Sequence, residues 1–468
     1  MEIFFRVDSN PEIGAGHFER CLVLANSISQ ENDITFIYKD LTINQKKKLA
    51  KHKFKFIKIN NSKKNNDANQ TYKIVKKNSY LIIDGYNFKR DFINKIKKKT
   101  SNIFINNDFE IDTFGLNLVN PSDIYFNFKK RKFGIPIIKR NLNVINLREH
   151  FKRIKKNNTI LLSFGASDRE NYTEKILLFL SSKTFKNYKI LVLIGELNKN
   201  YDLLKKKFKN EKNVQFIKNI NNIKNVFDKS SFCILAGGVI SREANCFGLP
   251  GLVLKVSKNQ DKNIKFFKKN KIFSCRDIQN INKKNFVTII KKEIRNFNFK
   301  KFLYNISYSQ YDFLERYLFL LQTPSSKARL REASWKDFLF LYNMAKDNRK
   351  NSFSKSKIDI YDHYKWFKKK ISSRSTKIYI LNLNNLRIGQ VRLDKRKKIF
   401  FLDYSINNFF QGYGFGEKII KLILLKFRNY PTEIYANVLK HNKKSIKIMS
   451  KICISKFVNK NYIKFKLK

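Results

Sequence analysis

The sequence has few cysteines and arranges none of them in a recognisable pattern. Its 468 residues include 5 cysteines, at positions 21, 233, 246, 275 and 453. They form no Cys-x-x-Cys pair and no Cys/His group with metal-ligand spacing, and no Asp-rich cluster indicates a magnesium site. We therefore expect no metal, a reducing compartment and no catalytic thiol, because four of the five lie in or beside apolar runs, where buried thiols are usual.

Long apolar runs and an export signal are also missing. No apolar run approaches the roughly 20 residues that span a bilayer. The first segment, Met1 to Val7, is short, contains Glu2 and Arg6, and leads directly into a glycine loop, unlike a signal peptide. These absences predict a cytoplasmic protein with no membrane span.

Acidic residues are scarce relative to basic ones. The chain has 37 Asp and Glu against 98 Lys and Arg, a formal net charge of +61. Such a charge ordinarily suggests nucleic acid, but the lysine runs occur in every third of the chain, beside the Asn, Ile and Phe that A/T-rich coding sequence over-supplies. We interpret most of the charge as compositional bias on solvated surfaces and expect nonspecific polyanion binding without a specific nucleic-acid partner.

The glycines that are present fall at informative positions, beginning with a loop near the N-terminus. A strand-like run, Ile3 to Val7, leads to Gly14-Ala15-Gly16-His17, and a helix-like stretch, Phe18 to Ile28, follows. Glycines at a strand-to-helix turn let backbone N–H groups approach a phosphate at the helix N-terminus. His17 then lies where a general base could act, although a capping loop with a polar histidine has the same pattern.

A second loop of this type lies far downstream. Ala236-Gly237-Gly238 follows the apolar run Phe232 to Leu235, and Gly248 with Pro250 ends the next helix. The backbone here would meet a diphosphate, and Glu243 could accept hydrogen bonds from ribose hydroxyls or serve only as a favourable charge near a helix start. Two such loops predict two Rossmann-like halves.

Alternating strand-like and helical stretches predict a doubly wound α/β fold for most of the chain. A length of 468 residues predicts two or three domains. The basic stretch 148–158 is the expected hinge between the halves, and Thr323-Pro324-Ser325-Ser326 the expected linker to a different segment. The predicted domains are 1–150, 151–322 and 327–468. The remaining predicted strands of the two halves are Ile34 to Tyr38, Tyr80 to Ile83, Ile103 to Ile105, Thr159 to Phe164, Lys189 to Ile194 and Val214 to Ile217.

The last segment contains a third glycine loop. Gln411-Gly412-Tyr413-Gly414-Phe415-Gly416 lies between a strand-like run, Phe400 to Ile406, and an apolar helix, Glu417 to Phe427. The expected ligand is the pyrophosphate of coenzyme A, held by successive backbone N–H groups, and the alternative is a glycine-rich turn without a ligand.

Residues 1 to about 320 resemble the UDP-sugar hydrolases of pseudaminic acid biosynthesis. The motifs that carry the resemblance are Arg6-Val7-Asp8, Gly14-Ala15-Gly16-His17 with Arg20-Cys21-Leu22, Asp84-Gly85-Tyr86, Ser163-Phe164-Gly165-Ala166-Ser167-Asp168, Ala236-Gly237-Gly238 with Glu243, and Asn259-Gln260. The resemblance implies a glycosyltransferase-B-like fold, His17 as the catalytic base, and no metal. It implies a substrate site at Gly14, Gly16, Arg20, Asp84, Tyr86, Asn259 and Gln260, and a nucleotide site at Gly165, Gly237, Gly238 and Glu243.

Residues from about 327 onward resemble Gcn5-related N-acetyltransferases, in particular those that acetylate the 4-amino group of the UDP-sugar one step earlier in that pathway. The motifs are Leu330-Arg331-Glu332-Ala333, Asp337, His363 to Phe367, Ile388-Gly389-Gln390-Val391-Arg392-Leu393, the glycine loop, and Asn442-Lys443-Lys444-Ser445. The resemblance implies that acetyl-CoA is a cosubstrate bound by Gln411, Gly412, Gly414, Gly416 and Asn442.

This second segment departs from its relatives at the position of the thiolate acid. Many relatives have a tyrosine where this chain has Met449, and methionine cannot donate a proton. The acid is therefore Tyr404, Tyr435 or a solvent path, and Cys453-Ile454 likewise replaces the usual Gly-Phe. His363 lies near Trp366 and Phe367, where a structural contact is the more common role of a histidine.

The combined interpretation is a bifunctional α/β enzyme: a glycosyltransferase-B-like pair of Rossmann-like domains followed by a Gcn5-related N-acetyltransferase domain of the α+β class. Its expected partners are a UDP-linked amino sugar and acetyl-CoA. One alternative is a UDP-sugar-dependent glycosyltransferase with an accessory acetyltransferase. Another is a non-enzymatic, basic polyanion-binding protein. The sugar configuration and the oligomeric state stay open.

Overall fold

The structure is a computed structural model that describes residues 1–29, 32–60, 64–85, 88–100, 103–105, 147–218, 220, 223–307, 328–354, 356–383 and 386–468. Its residues form two compact units, one from the described parts of 1–105 and 148–307, the other from those of 328–468. Tyr86 and the predicted linker at 323–326 lie outside the described residues. The predicted domain bounds stay a prediction.

The first unit begins with a five-stranded parallel sheet. Its strands are β1 (Glu2–Val7), β2 (Asp33–Tyr38), β3 (Lys55–Lys58), β4 (Tyr80–Asp84) and β5 (Ile103–Ile105), in the order β3-β2-β1-β4-β5. The helices between them are α1 (Gly16–Ile28), α2 (Ile43–Lys51), α3 (Lys64–Ile74) and α4 (Arg90–Lys97). The central strands β1 and β4 are mostly apolar and are buried after their first residue, because helices cover both faces of a parallel sheet.

A six-stranded parallel sheet follows in the same unit. Its strands are β6 (Thr159–Ser163), β7 (Lys189–Ile194), β8 (Val214–Lys218), β9 (Phe232–Ala236), β10 (Gly251–Lys255) and β11 (Ser274–Asp277), in the order β11-β10-β9-β6-β7-β8. Its helices are α5 (Leu147–Lys156), α6 (Tyr172–Leu180), α7 (Tyr201–Lys207), α8 (Lys224–Phe227), α9 (Val239–Phe247), α10 (Asp261–Lys269), α11 (Lys283–Asn296) and α12 (Phe299–Ser307).

The stretch expected to be the hinge between the two halves forms the helix α5. Its basic residues face solvent, while His150 is buried and bonds through Nε2 to the carbonyl oxygen of Phe247 at 2.8 Å. Phe151 packs against Phe297 and Phe302, with ring centroids 5.5 and 5.8 Å apart. Apolar and aromatic side chains at helical spacing fix this segment to the helices of the second sheet, and the hinge interpretation of residues 148–158 stays a prediction.

The second unit is built on a seven-stranded mixed sheet. Its strands are β12 (Arg329–Glu332), β13 (Thr376–Leu383), β14 (Leu386–Arg396), β15 (Ile399–Ile406), β16 (Glu433–Leu439), β17 (Ser455–Val458) and β18 (Tyr462–Lys466), in the order β12-β13-β14-β15-β16-β18-β17. Its helices are α13 (Phe338–Asp347), α14 (Ile360–Ile371), α15 (Phe415–Lys426) and α16 (Lys443–Ile452). Only β15 and β16 pair in parallel; the other neighbours are antiparallel.

The start of this unit is fixed by an ion pair whose carboxylate is buried. Arg331 donates two hydrogen bonds of 2.7 Å to Asp337, whose side chain is buried. One oxygen of Asp337 also accepts from the backbone N–H of Ser334 at 2.8 Å. The Arg331 and Asp337 positions that the sequence singled out therefore hold β12 to the turn before α13.

The predicted fold class is confirmed: two parallel α/β sheets of the Rossmann type precede a mixed α+β sheet. Each strand predicted from the sequence occurs within one residue of its expected bounds. Within the described residues, none of the helices has the length and hydrophobicity that crossing a bilayer would require.

Candidate active sites

The first candidate site lies where the strand order of the first sheet reverses. Chain order runs outward from β1 to β3 on one side and from β4 to β5 on the other, so β1 and β4 are neighbours at the switch point. Val7 and Asp84, at their carboxyl ends, are register partners. Ligands of open α/β sheets bind outside this edge. The loop from β1 to α1 crosses it, and Gly14 there has a φ of 79°, a conformation that favours glycine.

His17, Arg20 and Asp84 form a buried cluster at this edge. Asp84 is fully buried, and His17 and Arg20 are 3% and 6% exposed. The Asp84 carboxylate accepts from Arg20 Nε and Nη2, both at 2.5 Å, and its Oδ1 lies 2.6 Å from His17 Nδ1. His17 and Arg20 meet it together because they lie one turn apart on α1.

The contacts of Asp84 determine which ring nitrogen of His17 carries a proton. Burial acts to raise the pKa of Asp84, but the charges and hydrogen bonds of Arg20 and His17 outweigh it and hold the pKa below its ordinary value. An ionised carboxylate only accepts hydrogen bonds, so the 2.6 Å contact favours a proton on His17 Nδ1; Arg20 Nη2 lies farther from the same nitrogen, at 3.0 Å. In a neutral ring the basic atom is then Nε2, the arrangement in which a carboxylate orients a histidine base.

The second candidate region lies at the corresponding switch point of the second sheet, between β6 and β9. Gly165, just after β6, has a φ of 90°, and Gly237 and Gly238 join β9 to α9. Gln260 Oε1 accepts from the backbone N–H groups of Gly237 at 3.2 Å and Val256 at 3.0 Å. A side chain at position 237 would meet Gln260 and Ile264 within 3.0–3.2 Å. This loop therefore needs glycine, and Gln260 fixes its backbone.

One residue that holds this loop was not anticipated from the sequence. Asn263 Nδ2 donates to the carbonyl oxygen of Gly237 at 2.7 Å, and its Oδ1 accepts from Arg242 Nε at 2.8 Å. Asn259 lies in a short 3₁₀ turn, where its Oδ1 accepts from the hydroxyl of Ser257. A sequence signal existed, because Asn263 follows the Asn259-Gln260 motif by one helical turn.

The glycine loops of the two halves approach each other. A Cβ at Gly16 would lie 3.4 Å from Val239 Cγ2, at the first turn of α9. Arg169 donates to the carbonyl oxygen of Pro11 at 2.9 and 3.1 Å, and the hydroxyl of Thr42 donates to Glu196 at 2.9 Å. The structure therefore brings the region of His17 to the start of α9.

Glu243 is placed on α9 toward the first half. Although the residue keeps partial exposure, burial of its carboxyl raises its pKa to about 8; Glu19 adds to the shift and Lys48 opposes it. Glu19 and Lys48 belong to α1 and α2, so Glu243 faces the helices of the other half. At neutral pH its carboxyl carries a proton and can both donate and accept hydrogen bonds.

In the second unit, the candidate site is a gap between two strands. Pairing of β15 with β16 covers only Ile399 to Phe401 and Glu433 to Tyr435, and the strands diverge beyond these residues. A cavity of about 950 Å³ is lined by residues of both diverging strands and of α13, α14 and α16. Backbone groups that face a gap between strands have no ladder partner and can bind an extended ligand.

The third glycine loop borders this cavity and opens α15. Gly412 and Gly414 have φ values of 95° and 77°. Gln411 Nε2 donates to the carbonyl oxygen of Ile406 at 3.2 Å and to Asn408 Oδ1 at 3.0 Å, so its side chain shapes the loop. A Cβ at Gly416 would lie 2.9 Å from Ile448 Cδ1, which explains the close packing of α15 on α16.

Asn442 and Tyr404 lie together near the start of α16. Asn442 caps the helix by accepting from the backbone N–H of Ser445 at 3.3 Å, and the Tyr404 hydroxyl donates to Ser445 Oγ at 3.0 Å. Asn442, Tyr404 and the buried Met449 all line the cavity. Burial raises the pKa of Tyr404, partly opposed by its bond to Ser445. Tyr435 instead donates to Glu433 at 3.2 Å.

Two buried polar groups in the cavity have no hydrogen-bond partner within the described part of the chain. They are Asn437 Oδ1 and His363 Nε2. Burial, reinforced by the charge of Arg392, lowers the pKa of His363 to about 4, so its ring is neutral at physiological pH. Its ring packs 5.0 Å from Trp366 and 5.5 Å from Tyr342, in agreement with the structural contact expected for it. Sequence reasoning did not single out Asn437, because a lone asparagine in a strand carries no motif.

The cavity and glycine loop fit an acetyl-CoA molecule. An extended amide chain suits the gap between β15 and β16, and the loop before α15 offers the N–H groups that a pyrophosphate requires. Among the described residues of both units, no group of three or more His, Cys, Asp or Glu side chains forms a possible metal-binding site.

The comparison with known families agrees with this fit. The family model "Acetyltransferase (GNAT) domain" matches residues 327–452. The chain therefore carries a GNAT acetyltransferase domain. This is the domain class predicted for its last segment, and members of the class use acetyl-CoA as the acetyl donor.

Three individual proteins are similar to parts of the chain. An uncharacterized protein of Methanocaldococcus jannaschii is 29% identical over 278 residues, which are 54% of this chain and 55% of the relative, so the chain spans about half of that curated protein. Acinetobacter baumannii MurG covers 69% of this chain and 99% of its own, at 9% identity and a TM-score of 0.45. Spermidine N-acetyltransferase of Vibrio cholerae, solved with CoA and spermine, covers 31% and 97%, at 18% identity and a TM-score of 0.26. The fold assignment rests on the sheets and the family model.

Proposed function

We propose that the chain is a bifunctional nucleotide-sugar enzyme of pseudaminic acid biosynthesis. Its acetyltransferase domain would acetylate the 4-amino group of a UDP-linked amino sugar. Its first unit would then hydrolyse UDP-2,4-diacetamido-2,4,6-trideoxy-β-L-altropyranose to UDP and the free sugar. The observation that carries the hydrolase half is the buried His17–Asp84 pair beside the glycine loops. The GNAT match and the adjacent cavity carry the acetyltransferase half.

In the hydrolysis, His17 acts as the general base. Its Nδ1 proton is held by Asp84, so Nε2 would take a proton from water as the water oxygen attacks the anomeric carbon. The bond from that carbon to the UDP oxygen breaks, and its electron pair leaves with UDP. The backbone N–H groups at the start of α9, from Gly238 onward, would stabilise the charge on the departing diphosphate, while the Gly237 N–H is bonded within the loop.

The remaining predicted residues of the first unit have supporting roles. Glu243, protonated at neutral pH, would exchange hydrogen bonds with the ribose hydroxyls. Asp84 is fully engaged with His17 and Arg20, which supports a positioning role in addition to the predicted place near the sugar. Gly14, Gly16, Gly165 and Asn259 stay predicted contacts of the nucleotide-sugar.

In the acetyl transfer, acetyl-CoA supplies the thioester that the sugar amine attacks. Asn437 Oδ1, which lacks a donor, would accept an N–H of that amine and orient its lone pair. As the C–S bond breaks, Tyr404 would donate its phenolic proton to the departing sulfur, and the proton that the amine nitrogen loses would return through solvent to the phenolate. Its raised pKa keeps Tyr404 protonated, and its hydroxyl bonds Ser445, which lies one turn of α16 before Met449. Of the two tyrosines that the sequence left open, Tyr404 lines the cavity.

The test is a mass-spectrometric assay of the purified full chain with acetyl-CoA and the UDP-linked 4-amino-4,6-dideoxy sugar. We expect N-acetylation followed by UDP release. His17→Ala should abolish release and spare acetylation, whereas His52→Ala, a histidine on the exposed end of α2, should change neither. Acetylation without UDP release in the wild type would contradict the hydrolase half. UDP release that requires an added sugar acceptor would instead identify a glycosyltransferase.

A further inference from the structure

The first unit contains a pocket at the edge of the second sheet that faces away from the glycine loops. It lies beside Pro250, which precedes β10, and beside Ser274 and Cys275, which begin β11. The glycine loops follow the carboxyl ends of β6 and β9, so the pocket occupies the amino-terminal edge of the same parallel sheet. Its volume is about 500 Å³, enough for a small metabolite.

The walls of this pocket carry a surplus of positive charge. Lys268, Lys271, Arg276 and Lys301 line it, and Glu293 is the single acidic residue among its lining residues. The Glu293 carboxylate accepts a hydrogen bond from Ser274 at 2.9 Å. Burial, with a further contribution from Lys271, lowers the pKa of Lys301, partly opposed by Glu293. The ammonium of Lys301 is therefore incompletely compensated in the protein alone.

Backbone carbonyl groups near the pocket offset only part of this surplus. The C-terminal turn of α10 brings backbone carbonyl groups to this edge, and Lys301 Nζ donates to the carbonyl oxygen of Lys271 just beyond that helix. Arg276 Nη1 likewise donates to the carbonyl oxygen of Cys275 at 2.9 Å. Lys301 and Arg276 each have further N–H groups in addition to the one that bonds a backbone carbonyl oxygen.

A buried amide at the pocket wall gives the second, independent observation. Asn305 on α12 lines the pocket and is fully buried, yet within the described residues neither its Nδ2 nor its Oδ1 has a hydrogen-bond partner. Buried amides in folded proteins are nearly always paired, because an unpaired polar group keeps the cost of its desolvation. Asn305 thus offers both a donor and an acceptor to whatever fills the pocket.

We propose that this pocket binds a small phosphorylated polyol. Its phosphate would be held by the Lys268, Arg276 and Lys301 side chains, with Asn305 Nδ2 donating to it and Asn305 Oδ1 accepting from a hydroxyl. A phosphorylated polyol can place its phosphate against the cations while a carbon-bound hydroxyl donates to Oδ1, so the ligand combines negative charge with hydroxyl groups. The inference is independent of the proposed function, because the pocket lies on the opposite edge of the sheet.

The experiment measures binding of ribose 5-phosphate to the full chain by calorimetry at constant ionic strength. Saturating UDP and coenzyme A are present to occupy the other anion sites. We expect binding that weakens about tenfold or more in Asn305→Leu and Lys301→Gln. The matched control Lys291→Gln makes the same charge change on the exposed face of α11, outside the pocket, and should leave the affinity within about twofold. Inorganic phosphate should bind more weakly than the sugar phosphate.

The folding of the variants is itself informative. Replacing an unpaired buried amide by leucine removes a desolvated polar group, so Asn305→Leu should melt at the same temperature as the wild type or higher in the absence of ligand. Asn305→Asp, of equal size, should bind ribose 5-phosphate more weakly still, because it adds a repelling charge. The proposal is overturned if ribose 5-phosphate does not bind, if both Asn305 variants bind it like the wild type, or if inorganic phosphate binds more tightly.

Discussion

Replacing Asp84 by asparagine separates the shape of its side chain from its charge, and two effects follow from the geometry. Asp84 accepts two hydrogen bonds from Arg20 and one from His17. Asparagine keeps one acceptor oxygen and turns an NH₂ group toward one of those donors. The guanidinium of Arg20, which is 6% exposed, then has no counter-charge there. Breaking a buried ion pair in this way costs about 3–5 kcal/mol of the roughly 5–15 kcal/mol that stabilises a typical domain.

Activity should fall for a different reason. Without a carboxylate to accept the Nδ1 proton, His17 loses the contact that fixes its tautomer. We expect hydrolysis to slow by about 100- to 10,000-fold, the range for a base that loses its orienting group. Acetylation by the second unit should be unchanged. Nitrogen-15 NMR of the His17 ring should show Nδ1 protonated in the wild type and a mixture of tautomers in Asp84→Asn.

The stability effect carries a defined pH dependence. The pKa of Asp84 is lower in the folded protein than its unfolded value of about 3.9. Its contribution to stability is therefore complete above about pH 4 and is lost as the pH falls through the folded-state pKa. Urea unfolding of wild type and variant should differ at pH 7 and converge in acid. Asp91→Asn, exposed at the start of α4, is the control. Wild-type rates of UDP release in a folded Asp84→Asn protein would refute the positioning role.

Three further changes test other parts of the structure. Tyr404→Phe should slow acetylation by about 10- to 100-fold, and it should weaken the binding of coenzyme A more than the binding of desulfo-coenzyme A, which lacks the sulfur. Tyr435→Phe should have neither effect. Equal effects of the two variants would contradict the assignment of Tyr404 as the thiolate acid. Because the pKa of Glu243 is raised to about 8, the stability of the wild type should fall relative to that of Glu243→Gln as the pH rises from about 5 to 8. If urea unfolding shows a constant difference between the two proteins over this range, the raised pKa is wrong. Gln260→Leu leaves the N–H of Val256 without its acceptor and loosens the loop at Gly237, so we expect weaker UDP binding by calorimetry and a loss of about 1–3 kcal/mol in stability.

The sequence predicted most of the buried strands of the two parallel sheets, but only one strand of the mixed sheet. Residues 190–194 and Phe232–Ala236 are apolar throughout because helices cover both sheet faces, and such runs are visible in a sequence. The strands that the sequence did not predict are β3, β10 and β11 of the first unit and, in the second unit, every strand except β15. Strand β3 is a solvent-exposed edge, Lys55–Lys58, and β11 buries only its cysteine, so neither shows a strong pattern.

The sequence also located the glycine loops but not the groups that hold them. Positive φ values at Gly14, Gly165 and Gly412 follow from a backbone path that only glycine adopts easily, which makes these loops recognisable. Gln260 and Gln411, predicted as ligand contacts, also fix the loops themselves through hydrogen bonds to backbone groups. The sequence does not distinguish ligand binding from support of the loop, because both roles use the same side-chain amide.

The sequence by itself determined most of the strands of the two parallel sheets, where glycine is required, and that the last segment differs in class from the rest. Only the tertiary structure decided which distant side chains meet. His17 and Asp84 are 67 positions apart and lie at 2.6 Å because parallel strands β1 and β4 are neighbours. Tyr404 bonds Ser445 of α16 because α16 and the diverging strands line the same cavity. Local propensity acts over a few residues, whereas strand order and helix packing set these long-range contacts, so the chemistry of each site arises only when the sheets are assembled.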